Sequence, residues 1–79
     1  MNLIQDKLTN REQEIYKYLL RGMSYGDISK ELNIAHRTVV AHIMSVYMKK
    51  LVGTRSELMA QRIQELEDEV EELRKVANG

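Results

Sequence analysis

The 79-residue chain carries two hydrophobic rhythms. Over its first two thirds, apolar positions come in short sets three or four apart. Ile15 and Leu19, with Tyr18 beside them, mark a first helix; Ile28 and Leu32 mark a second; Val39, Ile43 and Val46 mark a third. Such spacings put side chains on one helical face, because about 3.6 residues make a turn. From Met59 the rhythm is sustained instead. Met59, Ile63, Leu66, Val70, Leu73 and Ala77 follow one another in alternating steps of four and three. That is the seven-residue repeat of a helix packing against another helix along a narrow seam. With no proline and four glycines, the chain reads as nearly all-helical.

Start and stop signals divide these rhythms. Thr9 and Glu12 form a T-x-x-E capping box that opens the first helix, which is expected to run to about Arg21, with Gly22 as its left-handed stop. Ser24 with Asp27, and Thr54 with Glu57, repeat the device for the second and fourth helices. The third helix has Ala35 at its start, which accepts no bond from the first free amides, a loss of about 1 kcal/mol. Between the second and third helices, Ser29 offers a small inward side chain. Asn33 tolerates the left-handed conformation of a reversal, and Ile34 is a buried turn residue. This spacing is that of a helix-turn-helix, with the third helix as the reading element.

If Val39, Ile43 and Val46 turn inward against Ile15, Ile28 and Leu32, then His36, Arg37, Val40, Ala41 and Met44 line the outward face, with Ser45 at its flank. The planar fork of Arg37 suits guanine O6 and N7; a phosphate contact or a solvated surface charge is its alternative. His36 can donate to a base or a phosphate, or stand as an ordinary exposed histidine. Val40 and Ala41 offer only methyl groups, which suit the methyl of thymine. Lys49 and Lys50 sit where cations favour the negative end of the helix dipole. They could also reach DNA phosphates, as could Lys30, Lys17 and Arg55. His42 reads as a packed structural histidine.

These residues carry a family resemblance. The run Leu8-Thr9-x-Arg11-Glu12-x-Glu14-Ile15, followed by Gly22-x-Ser24, Ile28, Leu32, Ile34, Thr38-Val39, His42-Ile43, Lys49 and Arg55, resembles a LuxR/GerE-type DNA-binding domain from Leu8 to about Leu58. The resemblance implies a four-helix domain that binds double-stranded DNA as a homodimer and regulates transcription, in bacterial or phage-encoded, cytoplasmic proteins. Three departures stand out: Ala35 in place of a capping serine, Val40 and Ala41 in place of polar groups on the reading helix, and Lys50-Leu51 in place of a Lys-Leu-Gly ending. In the family the fourth helix is short and supplies the dimer contact; here it is lengthened.

Charge sharpens the division. Residues 1–56 hold nine basic and five acidic side chains, a net of +4, and residues 57–79 hold three and seven, a net of −4. A basic head on an acidic tail fits a nucleic-acid surface kept apart from an assembly element. The expected fold is therefore all-α: a leader (1–7), a helix-turn-helix head (8–53), and a last helix (54–79) extended into a parallel dimeric coiled coil. With Ile63, Val70 and Ala77 at a and Met59, Leu66 and Leu73 at d, β-branched residues at a and leucine at d favour two parallel strands. Arg62 and Glu69 then fall at g, Glu67 and Arg74 at e, so that Arg62 would pair with Glu67, and Glu69 with Arg74, across the homodimer. RNA polymerase is a further candidate partner.

The absence of cysteine excludes a disulfide staple and a thiolate zinc site. No run reaches the ~18 apolar residues of a membrane span. No phosphate-cradling glycine loop or nucleophile–base set points to an enzyme, and no cofactor or metal is expected. Only seven residues precede Leu8, so no receiver or ligand-binding domain is expected ahead of the head. Two alternatives join a helix-turn-helix to an assembly helix differently: a ring-forming DNA-packaging subunit of the small-terminase kind, and an adaptor that binds the transcription machinery through its acidic coil.

Overall fold

The structure, a computed structural model, describes residues 7–78; most of the expected leader lies outside them. Four helices follow in order: α1 (Asn10–Leu20), α2 (Tyr25–Leu32), α3 (His36–Lys50) and α4 (Arg55–Asn78). The fold is the all-α, four-helix one expected.

α1, α2 and α4 begin where a side chain can satisfy their free amides. Thr9 Oγ1 accepts from Glu12 N (3.2 Å), and the Glu12 carboxylate accepts from Thr9 N (2.8 Å), a complete capping box. Ser24 Oγ accepts from Asp27 N (3.1 Å). At α4, Thr54 Oγ1 accepts from Glu57 N (3.1 Å), while the Glu57 carboxylate reaches past the cap to Gly53 N (2.6 Å). α3 begins at Ala35 with no side-chain cap bond.

α1, α2 and α3 end alike. Met23 N donates to Tyr18 O, Ile34 N to Ser29 O and Val52 N to Tyr47 O, the wide loop that closes a helix around one left-handed residue. Those residues are Gly22 (φ +81°), Asn33 (φ +55°) and Leu51 (φ +60°). Glycine pays nothing there and asparagine little, but a leucine Cβ crowds the following carbonyl at about 1–2 kcal/mol. Ser29 Oγ also donates to Ile34 O, tying the reversal between α2 and α3.

The core is one layer deep. Ile15 and Leu19 from α1, Ile28 from α2, Val39, Ile43 and Val46 from α3, and Leu58 from α4 are all buried. Burial of such side chains contributes roughly 1.5–3 kcal/mol each. Leu32 and Ile34, expected inside, lie half-buried at the rim and pack against this cluster. Leu58 is the only fully buried residue that α4 supplies. From Leu66 onward α4 is exposed and runs clear of the head, and the chain measures 50 × 31 × 21 Å.

Replacing Leu51 by glycine relieves the left-handed strain and leaves its 87 % exposed side chain no packing to lose. Leu51→Gly should raise stability by about 1 kcal/mol, read as a higher urea midpoint, after the added unfolded-state freedom of glycine is subtracted. Gly22→Ala should lower it by a similar ~1 kcal/mol through backbone strain, since a Cβ there meets nothing within 4 Å. Equal or reversed midpoints would contradict this account of the caps.

Candidate nucleic-acid interface

α3 is held by its inward side and offers its other side to solvent. With Val39, Ile43 and Val46 buried, His36, Arg37, Ala41 and Met44 stand exposed and Val40 is half-buried. At 100° per residue, positions 37, 40, 41, 44 and 48 fall within an arc of roughly 100°. Four of the five outward residues expected on the reading helix, Arg37, Val40, Ala41 and Met44, therefore come together on one face; His36 is exposed at the first position of α3, to one side of that arc. Lys30 is exposed on α2, the helix that precedes the turn. The His36 ring lies 6.3 Å from that of Tyr25, centroid to centroid, at the junction of α2 and α3.

The other four candidates are engaged within the domain. Lys49 Nζ donates to Glu12 Oε1 (2.8 Å) and to Lys7 O (3.3 Å), and Ser45 Oγ donates to Glu12 Oε2 (2.6 Å). Both side chains thus point from α3 toward the start of α1. The Lys50 ammonium sits 4.8 Å from the centre of the Tyr16 ring, and Lys50 O accepts from Gln61 Nε2 (2.7 Å), which joins the end of α3 to α1 and α4. The Arg55 guanidinium lies 5.6 Å from the centre of the Tyr25 ring, fixing the start of α4 against α2. Cation–ring contacts of this kind contribute about 0.5–1 kcal/mol at exposed sites. His42 is half-buried beside the core.

Glu12 is the residue that sequence reasoning missed. It stands at the third position of a capping box, and in the fold its 5 % exposed carboxylate also receives Ser45 and Lys49 from α3. An acid on one helix and a hydroxyl and cation four apart on another is a visible pattern. The pairing spans 37 positions in sequence, and no local periodicity connects them. Burial alone would push the Glu12 carboxyl up. The bonds from Lys49, Ser45 and Thr9 N, with the charge of Lys49, outweigh it and bring the carboxyl from 4.5 to about 2. Tyr47 was likewise not anticipated: burial pushes its hydroxyl up, the neighbouring Tyr25 adds to this, and Arg55 opposes it.

Among the described residues no three His, Cys, Asp or Glu side chains gather as a metal-holding group. No helix among them is long and apolar enough to cross a membrane. The face on α3 can therefore present hydrogen-bond donors at its N-terminal end and apolar groups along the rest, at the width of one helix.

The family model of bacterial regulatory proteins, luxR family (GerE), matches residues 6–60. The chain belongs to the luxR family. This luxR-family chain is accordingly a helix-turn-helix, DNA-binding transcription regulator. The match takes in α1, α2, α3 and the start of α4, and leaves the protruding part of α4 outside. No curated protein and no solved structure matches the chain.

The depressed Glu12 carboxyl makes acid a probe of the α1–α3 tie. A group held at about 2 in the folded domain stabilises it fully above its unfolded value near 4.5, and that stability is lost as pH falls from there toward 2. Urea midpoints should drop across this window, and Glu12→Gln should flatten the drop. Glu12→Ala should cost roughly 2 kcal/mol at neutral pH, since Lys49 and Ser45 lose their acceptor. A Glu12→Gln variant with an unchanged acid profile would show that the carboxylate does not hold these helices.

Proposed function

We propose that the protein binds a two-fold symmetric DNA site as a homodimer, with residues 8–53 as the reading head and residues 54–79 as the dimerisation element. The observation that carries this reading is the seam on α4. Ile63, Leu66, Val70 and Leu73 lie on one side of the helix, each 43–69 % exposed and with no cover in the single chain. The seam runs back into the head as a shallow groove of about 370 Å³ lined by Leu20, Met59, Arg62, Ile63 and Leu66. A second α4 laid parallel along it would bury these positions in the a and d layers.

The charged flanks support the same arrangement. In the single chain Arg62 is 3.2 Å from Glu65 and 3.7 Å from Glu69, and Arg74 is 3.9 Å from Glu71. Exposed pairs of this kind are worth about 0–1 kcal/mol, so they exchange readily for Arg62–Glu67 and Glu69–Arg74 pairs across a dimer. Two reading helices would then enter successive major grooves about 34 Å apart. His36, Arg37, Val40, Ala41 and Met44 face the bases, and Lys30 faces the backbone. Ser45, Lys49, Lys50 and Arg55 serve the interface by holding α3 and α4 in place, Lys49 and Lys50 with part of their charge still open to phosphates.

Selection of bound sites from a random duplex pool at near-physiological salt, with the mass in solution taken alongside, tests the reading. The expected result is an inverted repeat with half-sites one helical turn apart, bound by a species of twice the 9.2 kDa chain. Leu66→Glu should return the protein to monomer and abolish binding to the full site. Arg37→Ala should weaken discrimination at one base pair by about 1–3 kcal/mol, and Lys30→Ala should weaken all sequences alike and reduce the salt slope by about one. A ring-sized mass would favour the packaging subunit, and salt-insensitive or absent DNA binding the adaptor.

A further inference from the structure

We infer that the reading face of α3 recognises thymine by its 5-methyl group, with Val40 and Met44 as the specificity-determining side chains. The inference rests on the proposal that this face meets the major groove, and it names what the face selects there. Within the arc of Arg37, Val40, Ala41, Met44 and Met48, the single charge lies at the N-terminal end. Everything after it lacks a donor or a strong acceptor. Met44 and Met48 are nevertheless 57 % and 73 % exposed, large apolar groups in water with no partner in the chain. The polar groups of α3 that could have served, Ser45 and Lys49, are turned away to Glu12.

A face so built cannot read most of the major groove. Guanine offers two acceptors there, adenine an acceptor and a donor, and cytosine a donor; thymine alone adds an apolar group, its C5-methyl. Set against a G·C edge, Val40 and Met44 strip water from polar atoms and give them no replacement bond, which selects against that pair. Set against a thymine methyl, they bury apolar surface on both sides. Val40, half-buried and β-branched, is stiff about χ1 in a helix and reads one position. Met44 has an unbranched, flexible chain and follows the groove to reach a second. A half-site then consists of one guanine opposite Arg37 and, along the helix from it, A·T pairs that present thymine methyls to Val40 and Met44.

The test uses the site obtained by selection and the full chain. Each thymine is replaced singly by deoxyuridine, which removes the methyl and leaves pairing and hydrogen-bonding edges unchanged. Affinity should fall roughly fourfold at each methyl that is contacted, the value of one buried methyl-sized group. Val40→Ala and Met44→Ala should each remove the dependence on one methyl, so that the protein and DNA truncations together cost no more than either alone. Both side chains lie outside the core, and thermal melts of the variants should match that of the parent. A selected site that is bound equally with thymine or deoxyuridine, or that carries G·C pairs beside the Arg37 position, overturns the inference while leaving DNA binding intact. Failure to enrich any site removes the DNA-reading assignment itself, a distinguishable result.

Discussion

The position of α3 depends on one buried carboxylate. Glu12 closes the cap of α1 and, with the same two oxygens, receives Ser45 and Lys49 from the second half of α3. Removing a charge from water is costly unless it is paired and hydrogen-bonded, so the group acts only in the geometry that satisfies it completely. That geometry fixes the roll of α3 about its own axis, because positions 45 and 49 are one turn apart on a single face. Once they face α1, the outward face follows as Arg37, Val40, Ala41 and Met44. The chemistry presented to a ligand is thereby set by a contact on the flank of the helix.

The apolar core reinforces this without being able to replace it. Val39, Ile43 and Val46 pack against Ile15, Leu19, Ile28 and Leu58. Apolar contact is non-directional and tolerates small rotations, whereas a carboxylate accepting from two side chains and a backbone amide does not. Lys50 on the Tyr16 ring and Arg55 on the Tyr25 ring then tie both ends of the α3–α4 connection to α1 and α2. Four of the polar side chains nearest the candidate interface thus belong to its framework.

Much of this was legible in the chain. Periodicity placed all four helices, the T-x-x-E pattern placed the start of α1, and Gly22 and Asn33 marked two of its stops, because each of these signals is local. The inward set of α3 and the outward set from His36 to Met44 also followed from spacing. Not legible were the partners of polar side chains. Lys49 and Ser45 read as open to DNA because nothing within a turn of them accepts a hydrogen bond, and their acceptor lies on α1. Leu51 read as a departure from a glycine ending and proved to occupy the glycine's left-handed conformation, since the wide closing bond from Val52 to Tyr47 requires it of whatever residue stands there.

The way α4 is joined to the head sets where the molecule opens. It enters through a strained leucine and anchors through a single fully buried side chain, Leu58, and then runs outward for most of its length. Detaching it uncovers Leu58 and breaks the bond from Gln61 to Lys50 but leaves the other six core residues packed, whereas separating α1 from α3 breaks the core and orphans a carboxylate. The lowest-energy excursion from the native state is therefore a swinging away of α4, with the three-helix unit intact. Amide exchange along the chain follows this order: the protons of α4 exchange through a partial opening, those around Ile15 and Ile43 only through global unfolding.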